Sequence, residues 1–353
     1  MLKTGQWHSE EEEEEEEEAA AMDREQDEMQ FLGFAGIYKE SFKIISSWKK
    51  LFAQISLFLI LPLSFIFLAH SWVSQTLSYR ILRDSFTRID TYKDSEEYSK
   101  LSRSINSTWL FLGLFKAVYF TFVLVLSLLS TSAVVYTIAC IYTGKHVTFR
   151  NVLSVVPRVW KRLVITFLWI FAVFFVYNVF FGGLLLVCII FIGVYSYGIA
   201  VVIGLFILYV VGFVYMAMIW QLASVVSVLE DVYGRKSVVK SKALIKGKMG
   251  ISVGCFAGLV VLFMVVQAVF EFLVVIDLVP GLVNRILIGL VCVVLLLGVV
   301  LLGLVVQTVL YFVCKSFHHE NIDKASLADH LEVYRGDYVP LRAQSVQLEQ
   351  IHV

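Results

Sequence analysis

Two ionisable side chains fall inside apolar segments of this sequence, where a charge is costly and marks a candidate functional site. They are Lys116 and Glu271, and Gln267 precedes the glutamate by four residues. We expect all three in the same half of the membrane, where Lys116 and Glu271 could form an ion pair. Such a pair would serve a polar pathway or substrate site; a contact between packed helices, or a lysine that extends to the surface, is the alternative.

A serine-nucleophile pattern also occurs, but in an unsuitable context. Residues 250–254 match G-x-S-x-G around Ser252. The motif needs a strand before the serine and a helix after it, whereas here it opens an apolar segment. His70 is the candidate general base, and it lies at the far end of a different apolar segment. We therefore expect no enzymatic activity.

Metal and cofactor chemistry finds little support in the sequence. The run His318-His319-Glu320 lies just beyond the last apolar segment. Two adjacent histidines do not share a helix face, so they are poorly placed to hold one ion. Neither a zinc-protease motif, a nucleotide-binding loop nor a CxxC pair occurs. We expect no metal site and no cofactor.

The elements that position these residues are apolar segments. The chain is 59% hydrophobic and only 16% charged, which lies outside the range of soluble domains. Residues 163–229 contain no Asp, Glu, Lys or Arg, and a crossing needs only roughly 20 apolar residues. The apolar runs are continuous, which favours helices over an alternating barrel pattern. The sequence predicts an all-α polytopic membrane protein.

We predict six transmembrane helices in one membrane domain that covers residues 31–314. Pro62 should kink the first span, residues 79–107 form a mixed-charge connection, and the turn between spans 3 and 4 falls among Gly182, Gly183, Gly193 and Gly198. The spans are about 51–69, 109–143, 163–190, 199–228, 251–276 and 285–314.

Three basic amphipathic segments accompany these spans, at residues 31–50, 144–162 and 230–250. Their pattern is typical of helices that lie in the membrane interface. Each cation near an anionic leaflet contributes about 1 kcal/mol. We predict that they anchor the chain to the cytoplasmic leaflet through Lys49, Lys50, Lys161, Arg162, Lys246 and Lys248.

The charge distribution predicts that both termini are cytoplasmic, because the basic segments all fall on one side of a six-span topology. Residues 1–30 hold 13 acidic and two basic residues and should form a disordered tail. Residues 315–353 form a polar cytoplasmic tail.

The expected partner is a bilayer with an anionic cytoplasmic leaflet. Association into homo- or hetero-oligomers through the membrane helices stays open, and we expect no binding of nucleic acid. The endoplasmic reticulum or another endomembrane is the expected location, with the plasma membrane as the alternative.

A threefold parallel repeat would explain the recurrence of these segments. Trp48-Lys49-Lys50-Leu51 and Trp160-Lys161-Arg162-Leu163 each begin a span, and a shift of 90 residues pairs Gly144 with Gly234. Because the three units would have the same orientation in the membrane, they would be related by an axis along the membrane normal. Convergent charge patterning gives the same signal, and both explanations stay open.

Two resemblances accompany these patterns. The residues from Trp220 to Ala223, Val228 to Asp231 and Ser241 to Gly247 resemble the membrane domain attached to some bacterial glycerophosphodiester phosphodiesterases. That likeness spans roughly residues 110–315 and includes no phosphodiesterase catalytic domain, so it implies no such activity.

The second resemblance covers nearly everything from Met22 onward. The chain is similar to an uncharacterised family of flowering-plant multi-span membrane proteins in Met22-Asp23-Arg24-Glu25-Gln26, Phe31-Leu32-Gly33-Phe34, Ile322-Asp323-Lys324 and Asp337-Tyr338-Val339-Pro340-Leu341. The family implies a multi-span architecture and no established activity. We therefore expect a non-enzymatic membrane scaffold or organising component; the alternative is a transporter or channel for a small or lipidic solute that uses Lys116 and Glu271.

Overall fold

A computed structural model describes residues 29–90, 96–144, 147–191, 198–276 and 281–318. Within these ranges the chain is helical, and six helices are long and apolar enough to cross a membrane. The predicted all-α, six-span architecture is confirmed. The predictions for the two tails fall outside the described residues, except at 29–30 and 315–318.

Eight helices make up the described part of the chain. Two of them, α1 and α6, are short, and the other six run antiparallel to one another in chain order. The helices are α1 Phe34–Ser47, α2 Lys49–Asp90, α3 Glu96–Tyr142, α4 Phe149–Phe191, α5 Gly198–Leu229, α6 Arg235–Ile245, α7 Met249–Val275 and α8 Leu282–Phe317, with π-helical turns at Ser56–Ile60 in α2 and Glu271–Val275 in α7.

The first spanning helix departs from regular geometry close to the expected position. A proline has no backbone N–H, and its ring clashes with the carbonyl one turn earlier. A π-helical turn, Ser56–Ile60, directly precedes the Leu61-Pro62 step. The wider turn changes the hydrogen-bond register before the proline, which is a known cause of local helix distortion.

The predicted connection at residues 79–107 is mostly helical instead. Helix α2 continues to Asp90 and α3 begins at Glu96. No Gly or Pro occurs between residues 79 and 107, so nothing in the sequence stops either helix. The 47 residues of α3 extend about 70 Å at 1.5 Å per residue, more than twice the roughly 30 Å of hydrocarbon in a bilayer. The two helices therefore project beyond the membrane as a paired extension.

The second predicted interfacial helix is also not a separate element. It forms the first turns of α4, which passes through Pro157 and continues into span 3 without a break. A single buried stripe crosses the expected boundary at Arg162, which explains the continuity. Its members are Val152, Val156, Val159 and Leu163, each at most 2% exposed.

The other two amphipathic segments form separate helices, and each packs one face against the spans. Helix α1 buries Ile37, Ser41 and Ile44 against α7 and α8. Helix α6 buries the equivalent positions of its own face, Ser237, Ser241 and Leu244, against α4, α5 and α8. This i, i+4, i+7 spacing places the buried residues on one side of each helix.

Burial is concentrated at one end of the bundle, which we call the basic end because it carries α1, α6 and the starts of α2 and α4. Residues 130–140 of α3 and 305–314 of α8 are buried there almost without interruption. In contrast, the α4–α5 hairpin exposes most of its apolar side chains in residues 171–190 and 198–214. The helices are therefore held together at the basic end and are more separate towards the opposite end.

The glycines divide into helical and turn positions. Gly182 and Gly183 lie inside α4 and Gly198 begins α5, while Gly193 lies outside the described residues. Gly144 and Gly234, which the proposed repeat aligns, both adopt positive φ, at 68° and 63°. This match is consistent with a repeat of those two units, although the continuous α4 has no counterpart in α6.

We expect Gly247→Ala to destabilise the basic end. Gly247 has φ +92°, and an added Cβ would collide with the Phe317 ring of α8. Left-handed backbone costs a non-glycine residue about 1–2 kcal/mol before the collision is counted. The measurement is the thermal unfolding midpoint of the purified protein.

The matched control for that substitution is Gly289→Ala, inside α8, where a Cβ would meet nothing within 4 Å. Alanine is the better helix former by about 1 kcal/mol, so the control should be neutral or stabilising. Equal midpoints for the two variants would contradict the expectation.

Candidate functional site

The basic end is organised around Glu230, the first charged residue after α5. Its carboxylate accepts a hydrogen bond from the Tyr311 hydroxyl at 2.6 Å and pairs with the Lys240 ammonium at 2.7 Å. The Lys315 ammonium lies 3.4 Å from the same oxygen as Tyr311. The glutamate side chain is only 11% exposed. One carboxylate therefore connects α5, α6 and α8.

The surroundings of Glu230 favour its charged form. Burial alone would raise the pKa of the Glu230 carboxyl. The hydrogen bonds from Lys240 and Tyr311, together with the positive charge of Lys315, outweigh burial and hold its pKa below the usual value. The carboxylate is thus ionised at neutral pH and the network is intact.

A second connection joins α4 to the segment that follows α5. The Arg162 guanidinium lies 3.1 Å from the Asp231 carboxylate, which is 75% exposed. The Gly234 N–H donates to the Thr166 hydroxyl at 2.8 Å, and this bond is buried. The positive φ of Gly234 turns the chain so that its N–H can reach α4. These contacts fix where α6 begins.

The end of α8 holds the loop between α6 and α7. The His318 Nε2 atom lies within hydrogen-bond distance of the carbonyl oxygens of Leu244 and Lys246, at 3.1 and 2.9 Å. The neighbouring His319 lies outside the described residues. Within the described part of the chain, no group of three or more His, Cys, Asp and Glu residues is arranged to hold a metal ion.

The predicted anchors separate into two kinds. Arg162 is paired with Asp231, and the Lys248 ammonium donates to the Gln30 carbonyl at 2.7 Å and lies 4.9 Å from the centre of the Phe317 ring. These two cations serve contacts within the protein. The other four are exposed at the basic end, namely Lys49, Lys50, Lys161 and Lys246.

Two of the exposed lysines line a cleft of about 760 Å³. Lys49 and Lys50 form part of its wall where α1 meets α2, beside Trp48. The start of α4 completes the wall with Thr148 and Phe149. The cleft therefore places two ammonium groups next to an aromatic side chain at the start of α2.

Among the candidate intramembrane residues, Gln267 and Glu271 meet the same helix. The Glu271 carboxylate accepts a hydrogen bond from the Gln75 side-chain amide. The Gln267 amide donates to the Ser71 hydroxyl at 3.2 Å. Ser71 and Gln75 are four residues apart and share a face of α2. The polar contact of α7 is thus made with span 1.

Lys116 does not join this group. Its side chain is exposed on α3, and within the described residues it forms no ion pair with Glu271. The nearby His70 of α2 stacks on Tyr119, with ring centres 3.5 Å apart, and on Phe115 at 5.5 Å. Lys116 and Glu271 therefore have different neighbours along α2.

Ser252 lacks the surroundings of a nucleophile. It is 1% exposed, lies in the first turn of α7 and donates its hydroxyl to the Lys248 carbonyl at 3.1 Å. His70 follows Lys49 by 21 residues on α2, which places it about 30 Å from the basic end. The serine and the histidine are far apart along the bundle.

The Glu230 network was missed by sequence reasoning. Glu230 and Asp231 are the first charges after the charge-free stretch, and that position is a usable signal for an interfacial ion pair. Tyr311 gave no signal, because an aromatic residue in an apolar run is common. Its pairing with Glu230 depends on how α8 packs beside α5.

We expect Glu230→Gln to destabilise the protein by about 1.5–3 kcal/mol, the usual contribution of a hydrogen bond to a charged group. The folded pKa of Glu230 lies below the usual value of 4.5. Its contribution is therefore complete above about pH 4.5 and is lost as the pH falls through the folded pKa. Thermal unfolding at a series of pH values should show the wild-type advantage shrinking below pH 4.5.

Asp231→Asn is the matched control, because Asp231 is adjacent but 75% exposed. Exposed ion pairs contribute only about 0–1 kcal/mol, so this variant should differ little from wild type. An advantage of wild type over Glu230→Gln that stays constant down to pH 3 would contradict the assignment.

Comparison with known proteins gives one finding, which is a match to a family model. No curated protein and no solved structure gives a match to this sequence. A family model described as a domain of unknown function, DUF8558, matches residues 22–351. The matched part includes all eight helices and both charged networks at the basic end, and it leaves out the run of glutamates. The chain belongs to the DUF8558 family.

Proposed function

We propose that this chain is a non-enzymatic membrane organiser that gathers anionic lipid at the cytoplasmic surface of an endomembrane. The observation that carries the proposal is the cleft of about 760 Å³ in which Lys49 and Lys50 stand beside Trp48. Tryptophan favours the headgroup level of a bilayer, and ammonium groups at that depth attract anionic headgroups.

The packing of the basic end supports this role. Buried faces fix helices α1 and α6 to the spans, and the Glu230 network adds a polar connection to α6. The exposed Lys161 and Lys246 extend the positive surface beyond the cleft. A preorganised surface loses little conformational entropy when it binds headgroups. The positive-inside bias of the sequence supports a cytoplasmic location for this surface and for both termini.

We expect labelled phosphatidylserine to be enriched over labelled phosphatidylcholine around the reconstituted protein. Energy transfer from a fluorescent protein fused to the chain measures the enrichment. Replacement of Lys49, Lys50, Lys161 and Lys246 by Gln should bring the ratio close to one, because each cation contributes about 1 kcal/mol. Added salt should weaken the wild-type enrichment.

A matched set of four cations at the opposite end provides the control. Arg80, Arg83, Lys100 and Arg103 are all exposed, and their replacement by Gln removes the same charge from the other side. This variant should keep the enrichment. Equal loss in both quadruple variants would show that net charge, and not the cleft, attracts the lipid.

A second candidate function, transport of a small solute, is favoured by the polar contacts between α2 and α7. Ser71, Gln75, Gln267 and Glu271 line up along this helix pair, and the Gln267 Oε1 atom is buried without a partner. Polar groups in a spanning segment are common along ion and proton pathways. The transport function predicted from the sequence also uses Lys116, so this lysine would have to join the pathway.

We expect no protein-dependent proton flux in liposomes that contain a trapped pH-sensitive dye, because an organiser needs no continuous pathway. Wild type, Glu271→Ala and Lys116→Ala should all match protein-free vesicles. Gln54→Ala, a change to an exposed glutamine at the basic end, controls for reconstitution. If wild type gives proton flux and Glu271→Ala or Lys116→Ala removes it, the transporter function is supported and the organiser function is contradicted.

A further inference from the structure

A cavity of about 450 Å³ lies within the bundle and is separate from the cleft at the basic end. Its wall is made by α3, α4, α5, α7 and α8. Pockets that hold small molecules have volumes of roughly 300–1,000 Å³. The cavity is therefore large enough for a ligand or for part of a lipid.

The wall is apolar and largely aromatic. Among the described residues, no charged side chain lines it. Phe120, Phe167, Trp220, Phe174 and Phe213 form a continuous row, with successive ring centres 5.3 to 6.4 Å apart. Such a wall binds hydrocarbon through contact area and favours flat or extended apolar groups.

Two carboxamides supply the polar part of the wall. Gln307 is 7% exposed, and its amide nitrogen is buried without a hydrogen-bond partner. Gln221 lines the same cavity from α5. The neighbouring hydroxyls of Thr131 and Ser224 already donate to carbonyls of their own helices. They remain able to accept a hydrogen bond from a ligand.

The two carboxamides lie at a similar depth. Gln307 precedes Lys315 by eight residues, which is about 12 Å along α8. Gln221 precedes Glu230 by nine residues, which is about 14 Å along α5. Half of a bilayer's hydrocarbon is about 15 Å thick. Both amides therefore lie near the middle of the membrane, where an unsatisfied polar group is costly.

We propose that this cavity binds a neutral membrane lipid whose single hydroxyl group hydrogen-bonds to Gln307 and Gln221. A hydroxyl both donates and accepts, so it fits a carboxamide in either orientation. The aromatic row holds the hydrocarbon body. A charged headgroup is excluded because the wall offers no counter-charge at this depth. The inference goes beyond the proposed lipid gathering, which uses anionic headgroups at the surface.

Two classes of membrane lipid carry this chemistry, namely sterols and diacylglycerols. The experiment uses the full chain in phosphatidylcholine vesicles with a photoreactive sterol, a photoreactive diacylglycerol or a photoreactive phosphatidylserine. Irradiation and peptide mapping locate the labelled residues. Labelling of cavity-lining peptides by either neutral probe supports the proposal and identifies which class of lipid binds.

We expect Gln307→Leu to reduce cavity labelling about fivefold, as for the loss of one hydrogen bond. Ala217→Phe places a ring in the cavity and should abolish labelling. Asn106→Leu also replaces a carboxamide by an apolar side chain, at an exposed position outside the cavity, and should label like wild type. Unchanged thermal unfolding and elution volume confirm that each variant is folded.

Three results would overturn the proposal. In the first, the neutral probes label only lipid-facing surfaces. In the second, wild type and Gln307→Leu show equal labelling of the cavity. In the third, the phosphatidylserine probe labels the cavity as efficiently as the neutral probes do. In the first case water, rather than lipid, would satisfy the two amides.

Discussion

The hydrocarbon of a bilayer offers the backbone no hydrogen-bond partner, and this constraint shapes every long element of the chain. Each crossing must satisfy its own N–H and C=O groups, so the spans are helices. Within the spanning helices that the structure describes, two π-helical turns depart from α-helical geometry, beside Pro62 in α2 and from Glu271 in α7. Both keep the backbone hydrogen-bonded. Lipid contributes no hydrophobic force between the spans, so packing and polar contacts must hold them together.

The basic end supplies those contacts. Glu230 connects three helices through one buried carboxylate, and Thr166 and His318 fix the two ends of the segment that contains α6. The same end contains the most continuous burial and carries the exposed lysines Lys49, Lys50, Lys161 and Lys246. Glu230 neutralises Lys240 and Lys315 within the protein, whereas Lys49 and Lys50 are exposed. Stabilising contacts and exposed positive charge therefore occur at the same end.

Much of the fold was predictable, and the errors have a common cause. Charge-free runs and basic flanks predicted six spanning helices, and six helices long and apolar enough to cross a membrane are present, because the cost of burying charge in lipid acts on composition alone. Composition could not place the helix ends. A polar segment without Gly or Pro, such as residues 79–107, extends a helix beyond the membrane. The stripe from Val152 to Leu163 joins the second amphipathic segment to span 3.

The sequence by itself determined the class of the protein, the number of spans and the position of the basic segments, since these depend on which residues a membrane tolerates. It also singled out Gln267, Glu271 and Lys116 as costly groups. Only the tertiary structure decided which polar residues meet. Glu271 contacts Gln75, Glu230 contacts Tyr311, and Gln307 and Gln221 line one cavity. The reason is physical, because a contact between residues far apart in the chain depends on how each helix is rotated and packed, and the composition of a single apolar helix leaves that rotation open.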